Sequence, residues 1–147
     1  MNSTLSKNLL VQIFSKGCKE KSKWKIGTEH EKFGFKKKSL EPIKFKDIEE
    51  IFLKLSKKYS WKKNFEGSNL ISLTKDNASI TLEPGGQIEL SGAPMNNLFE
   101  TCKEVNQHQG ELDDVCKSMD IDFLGMGLLP KWKINKIELM PKKDIKS

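Results

Sequence analysis

Arginine is absent from this 147-residue chain, so all 26 basic residues are lysine. Lysine is a point charge on a flexible stem. It lacks the planar fork that reads guanine edges and clasps phosphates in pairs. The net charge of +6 therefore invites only non-specific contact with nucleic acid. The lysines are also spread along the chain, and no RRM, KH or zinc-finger motif occurs, so a lysine-rich nucleic-acid-binding module is the weaker alternative. Cysteine is scarce. Cys18, Cys102 and Cys116 are odd in number, form no CxxC, and meet only two histidines, which argues against a zinc site or a disulfide framework. Reduced thiols suit a cytoplasmic location. No apolar run approaches the ~20 residues of a membrane span. The opening "LSKNLLVQIFSKG" is too short and too amphipathic for a signal peptide's apolar region, so no membrane partner is expected.

The length fits one domain, residues 1–147. Leu5, Leu9, Leu10, Ile13 and Phe14 recur at helical spacing, with Ser3 or Thr4 as cap and Gly17 as stop. "IGTEHEKFGF" (26–35) alternates like a strand. Residues 47–59 place Ile48, Ile51, Phe52 and Leu55 on one helical face, with Asp47 and Glu50 spaced as a capping box. "NLISLT" and "ASITLE" flank Lys75-Asp76-Asn77 and predict a hairpin. "QIELS" (87–91) is a further strand. Residues 95–119 carry the longest helical pattern, through Leu98, Cys102, Val105, Leu112, Val115, Cys116 and Met119. "DFLGMGLLP" reads as a last buried strand, and the tail "KKDIKS" as frayed. The order predicts an α+β fold with a mainly antiparallel sheet and helices.

Strand alternation sends Glu29, Glu31 and Phe33 to one face of the first strand and His30 and Lys32 to the other. Two carboxylates so close repel when ionised, and a hard cation such as Mg²⁺ resolves the conflict. A solvent-facing strand and a metal or acid/base site both remain open at this point. His30, turned away from the pair, reads as a hydrogen-bonded residue beneath the sheet. In "TLEPGGQIELSGAP" (81–94), Gln87, Glu89 and Ser91 share a face, and Glu83 precedes the Pro-Gly-Gly break. There is no GxxxxGK[ST] phosphate loop, and Gly125-Met126-Gly127 lacks the context of a dinucleotide fingerprint. Carboxylates from two strands make the kind of wall that magnesium-dependent phosphoryl transfer uses.

"WKIGTEHEKFGF", "TLEPGGQIELSGAP" and "FLGMGLLPKW" closely resemble the glutamate–cysteine ligase family of the plant and proteobacterial type, and "GCK" and "TCKEVNQH" are similar to it as well. The resemblance runs from about residue 9 to the "MPK" at 140–142. It implies a glutamine-synthetase-like carboxylate–amine ligase fold with a concave antiparallel sheet. It implies ATP-dependent joining of L-glutamate to L-cysteine through γ-glutamyl phosphate, the first step of glutathione synthesis. Glu29, Glu31, Glu83 and Glu89 become the expected Mg²⁺ ligands, and Gln87 and Ser91 the weaker expected substrate contacts. Family members run on past "MPK" through an arginine- and methionine-rich segment. This chain therefore reads as an N-terminal fragment, one whose partner is the missing C-terminal part of the ligase or which is inactive alone.

Overall fold

A computed structural model describes residues 6–128 and 131–142. The chain runs α1 (Lys7–Gly17), a short 3₁₀ turn (Lys21–Lys23), β1 (Glu29–Lys36), α2 (Phe45–Tyr59), β2 (Lys62–Glu66), β3 (Asn69–Lys75), β4 (Ala78–Leu82), β5 (Gln87–Ser91), α3 (Leu98–Cys116), β6 (Ile121–Leu124) and a second 3₁₀ turn (Ile134–Lys136). The six strands form one sheet in the order β2-β3-β4-β5-β1-β6, every neighbouring pair antiparallel. The α+β expectation holds. The strand order is what assembles the acidic residues. β1 inserts between β5 and β6, so the two acidic motifs, some fifty residues apart in sequence, become adjacent strands.

The core lies on one face of the sheet. Ile48, Ile51, Phe52 and Leu55 of α2 are fully buried against Leu73, Ile80, Leu82, Ile88 and Leu90. Each such side chain contributes about 1.5–3 kcal/mol on leaving water. Along β3, Leu70 and Leu73 are both buried although three residues apart. The register against β2 shifts between Asn64 and Phe65, so β3 carries one extra residue there and the inward face is reset. The β3–β4 hairpin turns on Asp76 and Asn77, both at positive φ (48° and 67°), the backbone that a two-residue hairpin favours.

Several boundaries differ from expectation. Ser6 caps α1 by accepting from the Leu9 N–H; Ser3, Thr4 and Leu5 lie outside the described residues, as do 129–130 and 143–147. No residue of α1 is buried, so its apolar stripe stays outside the core. α2 begins two residues early: Asp47 is not the cap but accepts from the Lys44 N–H at 2.9 Å. β2 was not expected at all. Its residues Lys62–Glu66 bury little because it is an edge strand held by backbone pairing to β3, so no hydrophobic alternation marks it. On α3, Leu98 and Cys102 are exposed, and the inward face is instead His108, Glu111, Leu112, Val115 and Cys116. The final strand is shorter than expected, closing at Leu124.

Candidate functional site: a carboxylate pair on the open face of the sheet

Register fixes the site. Glu31 stands directly opposite Glu89, Glu29 opposite Ser91, and Phe33 opposite Gln87. These side chains share the face turned away from α2, because their neighbours Lys32, Ile88 and Leu90 point into the core. On the next strand Thr81 is opposite Glu89. Glu83 follows in the turn, where its N–H donates to the Gln87 carbonyl at 2.9 Å.

Hydrogen bonds orient the acids. Gln87 Nε2 donates to Glu31 Oε2 at 2.9 Å, and Ser91 Oγ donates to Glu89 Oε1 at 2.6 Å. Thr81 Oγ1 donates to Glu83 Oε1 at 2.9 Å, and the Lys142 ammonium lies 3.5 Å from the same oxygen. The Glu31 carboxyl is held above its usual range. Partial desolvation contributes most, followed by the charge of Glu89, a hydrogen bond shared with Glu89, and the charge of Glu83; the Gln87 amide opposes them. Glu31, Glu89 and Glu83 thus form one electrostatically strained group, in which a proton or a cation relieves the repulsion. Glu29 sits at the strand's start, opposite Ser91 and not another carboxylate.

Of the four carboxylates expected as ligands, the fold brings Glu31 and Glu89 face to face with Glu83 beside them, and leaves Glu29 a pleat away. Among the described residues, no three acidic, histidine or cysteine side chains converge as a ready-made ion cage. Two facing carboxylates, with the Ser91 and Thr81 hydroxyls beside them, still suit Mg²⁺, which would keep several waters and draw further ligands from substrate phosphates. Gln87 and Ser91, expected as substrate contacts, are bonded instead to the two acids. Thr81 and Lys142 were missed, since only the register of β4 and the path of the last segment bring them to the wall. Beside the acids, Phe33, Phe35, Leu124, Met126 and Trp132 line an apolar hollow of about 160 Å³. Trp132 stacks edge-on against Phe33 and donates to the Leu40 carbonyl at 2.7 Å.

His30 does face the helix side, as alternation requires, but among the described residues its Nδ1 has no hydrogen-bond partner, contrary to the expected satisfied histidine. Burial and then the Lys32 charge lower its basicity. Behind the wall, Gly92 packs against Glu104 of α3, whose Oε1 accepts from the Ala93 N–H at 2.9 Å. A Cβ on Gly92 would collide with Glu104 Oε2 and stand 3.2 Å from its Cδ. Gly92→Ala is expected to push this carboxylate off the Ala93 N–H and lower stability by about 1–3 kcal/mol. A urea midpoint shift with unchanged slope checks this; an unshifted midpoint would show that Glu104 adjusts freely.

Comparison with known proteins accords with this arrangement. The family model described as glutamate-cysteine ligase family 2 matches residues 25–144. The chain is 49% identical over 138 residues to the chloroplastic glutamate–cysteine ligase of Medicago truncatula, covering 94% of this chain and 27% of that protein. It is 49% identical over 138 residues to that of Nicotiana tabacum, covering 94% and 26%. It is 48% identical over 142 residues to glutamate–cysteine ligase A of Oryza sativa subsp. japonica, covering 97% and 29%. The chain thus spans between a quarter and three tenths of the length of the curated relatives it matches. All three are named chloroplastic, which contradicts the cytoplasmic expectation. That expectation rested on free thiols, and reduced cysteines report a reducing surrounding without saying which compartment supplies it. With a match over most of its length and nearly half its residues identical to these ligases, the chain belongs to glutamate-cysteine ligase family 2.

Proposed function

We propose that this chain forms the metal-binding wall of an ATP-dependent ligase that joins the γ-carboxylate of L-glutamate to the amine of L-cysteine, the first step of glutathione synthesis. In this reading the sheet is part of a glutamine-synthetase-like fold. The glutamate γ-carboxylate takes the ATP γ-phosphoryl group, giving γ-glutamyl phosphate and ADP, and the cysteine amine then displaces phosphate. The relatives' names extend to the whole ligase the reading of a chloroplast location. The observation that carries the proposal is the Glu31–Glu89 pairing, a juxtaposition that is costly unless a cation or proton occupies it.

Magnesium, when bound, supplies neutralisation of phosphate charge. The chain's own residues hold and aim it. Glu31 and Glu89 are the principal ligands, Glu83 adds negative charge from the neighbouring turn, and Glu29 extends the wall. Gln87 and Ser91 fix the rotamers of Glu31 and Glu89 through their hydrogen bonds. Lys142, beside Glu83, is the described cation nearest this group and suits a phosphate oxygen as a point charge.

Calorimetric titration of Mg²⁺ into the chain tests the reading. A saturable heat is expected for wild type and none for Glu31→Gln combined with Glu89→Gln. The same double variant is expected to be slightly more stable than wild type without metal, because the like-charge repulsion is gone. Equal heats for the two proteins would sink the metal assignment.

A further inference from the structure

A second concavity lies on the opposite, helix-covered side of the sheet. It has a volume of about 330 Å³ and is bounded by α3, the β3–β4 turn and the segment after β5. Its composition inverts that of the chain. In a protein of net charge +6, this cavity is lined by Asp76, Glu100, Glu104 and Glu111 against only Lys75 and Lys103.

Three details point to a ligand. His108 is only 2% exposed and lines the cavity, yet neither ring nitrogen has a hydrogen-bond partner among the described residues. Native proteins satisfy nearly all such groups. Glu111 is 5% exposed and accepts from Trp61 Nε1 at 2.8 Å and from Gln107 Nε2 at 2.9 Å. No described lysine lies within ion-pair distance of it or of Glu104, although buried carboxylates are ordinarily paired with a cation. Glu104, His108 and Glu111 sit at helical spacings of four and three, so they share one face of α3. Finally, the Trp61 ring forms part of the wall, and the Lys75 ammonium already lies 5.7 Å from its centroid, a geometry that favours cations.

Burial, and after it the charges of Lys32 and His30, push the His108 imidazole down to about 3, so it is neutral at physiological pH. A neutral imidazole offers one acceptor nitrogen and one N–H donor. The acceptor nitrogen and the surplus of carboxylates in the lining together match a positively charged donor.

We propose that the cavity between α3 and the β3–β4 turn, centred on His108 and Glu111, is a binding site for a small organic ammonium. The ammonium donates to Glu111 and to the unprotonated His108 nitrogen. The site faces away from the Glu31–Glu89 wall and stands whether or not that wall binds a metal.

The test uses ethanolamine as probe and ethylene glycol as its neutral counterpart, at fixed pH. The chain has only two histidines, so ¹⁵N-histidine labelling resolves both ring nitrogens of His108. Ethanolamine is expected to shift them saturably and ethylene glycol to leave them in place. Glu111→Gln, which can still accept from Trp61, is expected to weaken ethanolamine roughly tenfold through loss of a charge-assisted bond. No shift with ethanolamine, an equal shift with ethylene glycol, or an unchanged affinity in Glu111→Gln would each overturn the assignment.

Discussion

Lys32→Met is expected to stabilise the protein at pH 7 by roughly 3 kcal/mol, raising the melting temperature on the order of 6–12 °C. Lys32 is 2% exposed, on the helix side of β1, and among the described residues its ammonium reaches only the His30 carbonyl, at a long 3.4 Å. Burial lowers its pKa from 10.5 to about 8. Folding therefore forces a charged group into poor solvation, or strips its proton. Methionine keeps the length and removes the charge. The sign of the pH dependence is set by the same shift. Between about 8 and 10.5 the unfolded chain binds more protons than the folded one, so stability rises with pH across that window. Below it the penalty is complete; above it the penalty is gone. Cys116 works the other way, because burial pushes its thiol up to about 12 and the unfolded chain loses that proton first. Cys116 is common to both proteins, so the difference between wild type and Lys32→Met isolates the lysine. Urea denaturation across this range is expected to show the variant's advantage shrinking toward zero. A variant no more stable at pH 7, or a constant advantage, would contradict it.

Gly34→Ala is expected to destabilise by about 2–3 kcal/mol, the upper range for overpacking a tight core. Gly34 lies on the same inward face as Lys32, on the strand next to the sheet's β6 edge, paired with Phe123 of β6. A Cβ there would overlap Ile43 Cδ1, approach Ile43 Cγ1 to 2.8 Å and Phe123 Cε1 to 3.0 Å. Ile43 cannot swing out, since it is 3% exposed and its N–H donates to the Gly34 carbonyl at 3.1 Å. Ile43→Val removes the overlapping methyl and alone costs about 0.5–1.5 kcal/mol. The double variant is expected to be more stable than Gly34→Ala by itself, which denaturant melts of all four proteins would read directly. Simple additivity would mean that the clash is relieved elsewhere.

How far the sequence could be read depended on what each element buries. α2 was legible because its apolar residues keep a helical period, and the β3–β4 hairpin because Asp76-Asn77 names the turn. The Glu31–Glu89 relation was legible only in part. Alternation gave the face, but the register and the insertion of β1 between β5 and β6 are long-range pairings that no local pattern carries. Glu29 was grouped with Glu31 by spacing, whereas the charge coupling runs across the strands to Glu89 and Glu83. The inward face of α3 misled for another reason. His108 and Glu111 are polar where a core residue is expected, while Leu98 and Cys102 look like core and are exposed. Polar residues buried against a cavity break the rule that hydrophobic patterning relies on.

The Glu31–Glu89 pair as a cation site can be followed atom by atom through the ¹³C signals of the glutamate side-chain carboxyls, titrated with and without Mg²⁺. Without metal, Glu31 is expected to titrate above the usual carboxylate range, because partial desolvation, Glu89 and Glu83 hold its proton. With saturating Mg²⁺, that midpoint is expected to fall below the metal-free value, since the cation favours the ionised form. A Glu31 titration that is normal from the start, or that Mg²⁺ leaves unmoved while Glu89 is present, would contradict the metal-binding wall.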